Sequence, residues 1–210
     1  MYIQAGNTAV ELAQNAQTFE VLKAAGATMP EIPDEKKNAI LLKYAAKGLT
    51  GGVLMALKAG AHVNQKGALS FTALHWAAFH GHHAVAQALL SANADINAKD
   101  YDSYTALHEA ALYGRHAVVQ ALLSANADIN AKGGSTSRTA LHEAAVHGHH
   151  AVAQALLSAN ADINAKTSSG WTLLALARSG LLYDQRMSEQ ILTHKHQTHK
   201  HQTHNHAASG

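Results

Sequence analysis

The sequence predicts an all-α fold, a solenoid of paired antiparallel helices joined by hairpin-like turns. Three observations predict it. A near-identical segment returns three times, with starts 33 and 34 residues apart. Each copy carries two short apolar stripes at helical spacing with a glycine between them. A unit of that length cannot bury both of its faces alone, so its copies have to stack.

The copies run from Thr72-Ala73-Leu74-His75 to Ala98-Lys99, from Thr105-Ala106-Leu107-His108 to Ala131-Lys132, and from Thr139-Ala140-Leu141-His142 to Ala165-Lys166. Thr72 suits a helix N-cap, because its hydroxyl can accept an orphan backbone N–H of the first turn. Leu74, Ala77 and Ala78 then form an apolar stripe, with the paired alanines allowing close helix approach. Gly81, Gly114 and Gly148 end the first helix by permitting a left-handed backbone. Val85, Leu89 and Leu90 form the stripe of the second helix, and Ala94-Asp95-Ile96-Asn97 breaks it and leads into an extended turn.

The flanks are divergent. Residues 39–66 keep the period, with Gly48, Asn64 and Lys66 each 33 positions before Gly81, Asn97 and Lys99. Residues 1–38 read as a degenerate repeat or cap, interrupted by Met29-Pro30-Glu31-Ile32-Pro33-Asp34, where proline forbids continuous helix. A last unit starts at Thr172-Leu173-Leu174-Ala175, and residues 172–193 read as a C-terminal cap. The expected array therefore covers residues 39–193, in about five units with starts near 39, 72, 105, 139 and 172. Residues 194–210 read as a disordered histidine-rich tail.

The repeated unit resembles the ankyrin repeat, whose period is 33 residues and whose start is Thr-Pro-Leu-His. Alanine, or leucine in the last unit, stands here for the proline. That loses only a preset φ at the helix start. The resemblance covers about residues 39–193 and implies a non-enzymatic module that binds another protein on the concave face of the stack, as a monomer. Near-identical copies imply recent tandem duplication. Such arrays are frequent among ankyrin proteins of intracellular bacteria, many of which are host-directed effectors. By that analogy the expected location is the cytoplasm, or a host cell's cytoplasm after delivery.

Composition limits the other classes. The 210 residues hold 16 basic and 14 acidic side chains. Lys195 and Lys200 lie in the tail, so residues 1–193 carry 14 of each. A neutral body does not supply the clustered positive charge of a nucleic-acid groove. There is no cysteine, which removes disulfides and thiolate zinc sites. No apolar run approaches the roughly 20 residues that span a bilayer, and the first residues lack the basic and apolar regions of a secretory signal. No cofactor is expected.

Candidate chemistry is sparse. His142-Glu143-Ala144-Ala145-Val146-His147 approaches the zinc-protease pattern, but its histidines are five apart, about 140° around a helix, and the pattern needs four. His75, His108 and His142 recur once per repeat, as structural hydrogen-bonding groups do, whereas catalytic groups are usually unique. The clusters around His80 and His147 are two repeats apart, about 20 Å at ordinary helix spacing, and cannot share one ion. The tail holds His194, His196, His199, His201, His204 and His206 within 13 residues. Such a tract can gather a transition metal or charge on acidification, which gives the alternative function of a metal- or pH-responsive binder. The competing reading is a low-complexity extension without a role.

Partner-binding candidates follow from where the copies differ. The second helices barely change, while the turn tips and first-helix ends do. Of the eleven aromatic residues, six fall there. The expected strip comprises Phe71, Phe79, His80, Tyr101, Asp102, Tyr104, Leu112, Tyr113, Arg138, His147, Trp171 and Arg178, since aromatics and arginine commonly anchor interfaces. Trp76, Glu109 and Glu143 share one helix position at its border. The competing reading packs Phe71 and Trp171 against the adjacent turn. Tyr104→Ala and Tyr113→Ala are expected to weaken binding with stability held within about 1 kcal/mol. The resemblance further marks Asn97, Asn130 and Asn164 as positions that an asparaginyl hydroxylase could modify.

Overall fold

The computed structural model describes residues 33–178, the side chains of residues 177 and 178 excepted, and also residues 189, 191 and 193. The described helices are α1 (Asp34–Ala46), α2 (Thr50–Lys58), α3 (Ala73–His80), α4 (His83–Ser91), α5 (Ala106–Leu112), α6 (His116–Ser124), α7 (Ala140–Val146), α8 (His150–Ser158) and α9 (Leu173–Arg178). A single 3-10 turn, Ala68–Ser70, precedes α3. No strand occurs among the described residues; two isolated β-bridges, Gly133 with Arg138 and Lys166 with Thr172, sit at turn bases.

The helices form two rows. Helices α1, α3, α5 and α7 pack in sequence along one row, and α2, α4, α6 and α8 along the other. Each first helix also packs on its own second helix. The core lies between the rows. Leu74, Ala77, Ala78, Val85 and Leu89 are buried in the first full repeat, and Leu107, Ala110, Ala111, Val118 and Leu122 are buried in the next. Alanine at the pair positions keeps neighbouring first helices close, and leucine fills the space between rows.

Helix α1 begins at Asp34, ahead of the repeat start expected near residue 39. Pro33 sits at its N-cap, and Asp34 and Glu35 place negative charge on the first turn, where the helix dipole favours it. The helix thus extends the first unit upstream. Asn38 is buried within it and accepts from the His62 backbone N–H at 2.7 Å.

The turns between repeats bond to one another. Tyr101 N–H donates to the Leu69 carbonyl at 3.0 Å, Gly134 N–H to Asp102 at 2.7 Å, and Ser168 N–H to Thr136 at 2.8 Å. One backbone bond therefore joins each tip to the next. The extra residue of the third copy is absorbed here: Gly133 and Arg138 exchange both backbone bonds, at 2.9 and 3.0 Å, around a wider tip. A second ladder runs along the Asp-Ile-Asn turns. Asn64, Asn97 and Asn130 each accept, through Oδ1, the backbone N–H of Asp95, Asp128 and Asp162 in the following repeat.

Candidate partner-binding face

Helices α3, α5 and α7 each start from a buried threonine–histidine pair. Thr105 Oγ1 lies 2.9 Å from His108 Nδ1, and Thr105 N–H donates to that same nitrogen at 3.2 Å. Since Nδ1 accepts a backbone proton, the ring proton is on Nε2, 3.1 Å from the Arg138 carbonyl of the next repeat. His75 makes the same bridge to the Tyr104 carbonyl, also at 3.1 Å. The once-per-repeat histidine is thus a neutral staple between repeats. Burial lowers all three rings, His108 and His142 to about 4. His142 has the same pairing to Thr139, but its Nε2 is buried without a partner among the described residues.

The other ends of α1, α3 and α5 are finished from the following repeat. Gly48, Gly81, Gly114 and Gly148 turn the chain with φ between 67° and 82°. Behind three of them a nitrogen of the next repeat donates to a carbonyl of the helix end: His82 Nε2 to Ala46 at 3.2 Å, Arg115 Nε to Phe79 at 3.1 Å, and His149 Nε2 to Leu112 at 2.9 Å. A donor at a helix C-terminus satisfies an orphan carbonyl, and a cationic one also meets the negative end of the dipole. His82 and His149, which the sequence set within histidine clusters, are therefore engaged in helix capping. No group of three or more His, Asp or Glu suited to a metal occurs among the described residues.

With both helix ends accounted for, the face made by the tips and first helices carries the sequence variation. Aromatic rings run along its first part. Phe71 contacts Trp76 at 5.0 Å between centroids and Phe79 at 6.4 Å, and Phe79 contacts Tyr113 at 4.3 Å in the next repeat. His80 stacks on Trp76 at 5.9 Å. Phe71 is buried and supports the cluster from beneath, also stacking on His75 at 5.4 Å. Tyr101, Tyr113 and Trp171 are exposed, at 79%, 39% and 39%. His80, Asp102 and His147 are exposed as well, while Phe79, Leu112 and Arg138 are half-buried.

The second part of the face is acidic and buried. Glu143 accepts from the Tyr104 hydroxyl at 3.0 Å and faces Arg138 at 3.6 Å and His147 at 3.7 Å. Glu109, one repeat earlier in the same register, is also buried. Burial pushes it up to about 7, and the charges of Asp100, Glu143 and Asp102 add to the effect.

Tyr104 differs from the expectation that its truncation is nearly neutral. It is half-buried, bonds to Glu143, and packs so closely on the next turn that a Cβ on Gly133 would sit 2.5 Å from its ring. Its removal therefore disturbs the seam between repeats. Tyr113, at the open end of α5, lacks these ties to the next turn.

Glu109 and Glu143 stood only at the border of the strip expected from sequence. Their signal was present: a glutamate falls at a register position that is otherwise Trp76, directly before the paired alanines of the core. The side chain of Arg178 and residues His194, His196, His199, His201, His204 and His206 lie outside the described residues. Asn97 and Asn130 are exposed, and their side-chain oxygens are held in the turn ladder. Asn164 is exposed at the end of that ladder.

On the second-helix side, a groove of about 560 Å3 lies between α4 and α6, lined by His83, Gln87, Ser91, Gln120 and Ser124 among others. Its residues come from the parts that repeat almost unchanged. No described helix is long and apolar enough to cross a membrane.

A family model described as ankyrin repeats matches the chain in three copies, over residues 7–100, 41–133 and 99–167. No curated protein matches it.

Proposed function

Because the chain belongs to the ankyrin repeat family, whose stacks generally mediate protein–protein interaction, we propose that it binds a partner protein on the face of turn tips and first helices. One observation carries this reading: exposed aromatic side chains gather where the repeats differ, while the parts that are alike hold the stack together. Tyr101 is 79% exposed at a tip, and Tyr113 and Trp171 are partly exposed along the same face. The part of a large ring that is left in water gains free energy when a partner covers it. The binding energy is expected to concentrate on these rings, with the polar tips around them acting as a rim.

The test is affinity capture from candidate cell lysates with the full chain, comparing wild type with Tyr101→Ala/Tyr113→Ala. Both substitutions leave the turn ladder and the buried core intact and remove only the Tyr113 ring contact with Phe79, so the melting temperature should fall by no more than a few degrees. Loss of a specific partner in the variant supports the face. Capture of the same partner at unchanged yield removes it.

A further inference from the structure

Two carboxylates among the described residues are buried, Glu143 at 1% exposure and Glu109 at 4%. Glu143 has a hydroxyl and a guanidinium to answer its charge. Glu109 accepts no hydrogen bond and has no ion pair among the described residues. A carboxylate so placed is unfavourable in the free protein, and its natural remedies are a proton or a positive group supplied from outside.

The surroundings point to the second remedy. The side-chain atoms that are fully buried without a partner are Arg138 Nε and His142 Nε2. The Glu109 oxygens are not among them, so they keep a window to solvent. Glu109 feels Asp100 and Asp102 on the tip before α5, and Glu143 on α7, all of the same sign. Tyr104 and Tyr113 feel its charge in turn. Arg138, a cation of the same face, is drawn toward Glu143 at 3.6 Å, and no cation acts measurably on Glu109. The surroundings of Glu109 are thus negative, with the Tyr104 and Tyr113 side chains within reach of its charge, and no positive group among the described residues pairs with it. Aromatic walls beside carboxylates suit an ammonium or guanidinium on an aliphatic stem. No metal-binding group of three or more side chains is present here among the described residues.

We propose that Glu109, framed by Asp100, Asp102, Glu143 and Tyr113, receives a lysine or arginine side chain from a basic segment of the partner. This rests on the proposed binding face and specifies the partner's chemistry. The aromatic rings on the α3 side would cover the apolar residues that flank that basic side chain.

Fluorescence anisotropy with the full chain tests it, using labelled Arg-Gly-Ser and Lys-Gly-Ser repeat peptides against a Glu-Gly-Ser control. The basic peptides should bind more tightly than the control, and Glu109→Gln should weaken them by about tenfold. Glu35→Gln, an exposed acid on α1, should not. Glu109→Gln should also melt no lower than wild type, since it removes an unpaired buried charge. Equal binding of basic and acidic peptides, equal binding by Glu109→Gln, or a lowered melting temperature in that variant would each overturn the proposal. The two readings fail separately. If Tyr101→Ala/Tyr113→Ala abolishes partner capture and Glu109→Gln leaves it intact, the face stands and the cation pocket does not.

Discussion

At the scale of single residues, buried ionisable groups set the pH response, and two kinds oppose each other. His108 and His142 titrate near 6.5 in an unfolded chain and near 4 in the fold. The unfolded chain takes up protons first as pH drops, so stability falls between 6.5 and 4. Each histidine should cost roughly 3 kcal/mol by pH 4. Glu109 runs the other way. Its folded value is about 7 against 4.5, so the fold holds a proton that the unfolded chain releases, and stability falls as pH rises from 4.5 to 7. Urea unfolding across pH should show both effects in variants. His108→Gln should flatten the acid loss. Glu109→Gln should gain on the order of 1–3 kcal/mol at pH 8 and nothing at pH 4. A wild-type stability that is flat from pH 7 to pH 4 would contradict the histidine assignment.

At the scale of elements, the glycines that end the first helices should not be equivalent, although their φ angles nearly are. A Cβ on Gly114 would meet the His149 ring at 2.6 Å, and that ring caps the Leu112 carbonyl. A Cβ on Gly148 would meet nothing within 4 Å. Gly148→Ala should cost only the left-handed strain, about 1 kcal/mol. Gly114→Ala should cost about 1–2 kcal/mol more, because the cap is displaced as well. Chemical denaturation of the two variants checks the difference, and equal losses would mean that the ring moves aside freely.

The same scale shows what could be read in advance. The periodicity and the threonine, glycine and Asp-Ile-Asn positions made the helix pairs legible, since each acts within a few residues of itself. The helix starting at Asp34 was missed because it breaks the period. The trans-repeat caps were missed because they join residues 36 or 37 apart, and His82 and His149 stood in runs that suggested other chemistry. On the proposed binding face, sequence variation alone singled out Tyr101, Tyr113 and Trp171, and the structure leaves these three rings exposed. The burial of Phe71 and the lack of a partner for Glu109 could not be read in this way, because both depend on how adjacent repeats close over them.

At the scale of the whole molecule, each repeat touches its neighbours and little else, so stability is a sum of unit and interface contributions. The histidine tail lies outside the described residues, and the seams described above are joined by residues of the repeats themselves. Removal of residues 194–210 should leave the urea midpoint and partner capture unchanged. A tail-dependent loss of capture that is restored by added zinc would instead favour a metal-responsive role for those six histidines. Deleting residues 105–138, one complete unit, should lower the denaturant m-value in proportion to the surface lost and remove Glu109 and Tyr113 together. That variant should fold and fail to retain the partner.

The capping of α1, α3 and α5 by the following repeat also has a consequence in time. On the ribosome, the carbonyl at Leu112 waits for His149, and the one at Phe79 waits for Arg115, 37 and 36 residues downstream. At about 5–20 residues per second of synthesis, that is a delay of roughly 2–7 s for every unit. A nascent stack therefore always ends in one unfinished repeat, and this growing edge, rather than the completed body, is the part of the chain exposed to chaperones and proteases while it is being made.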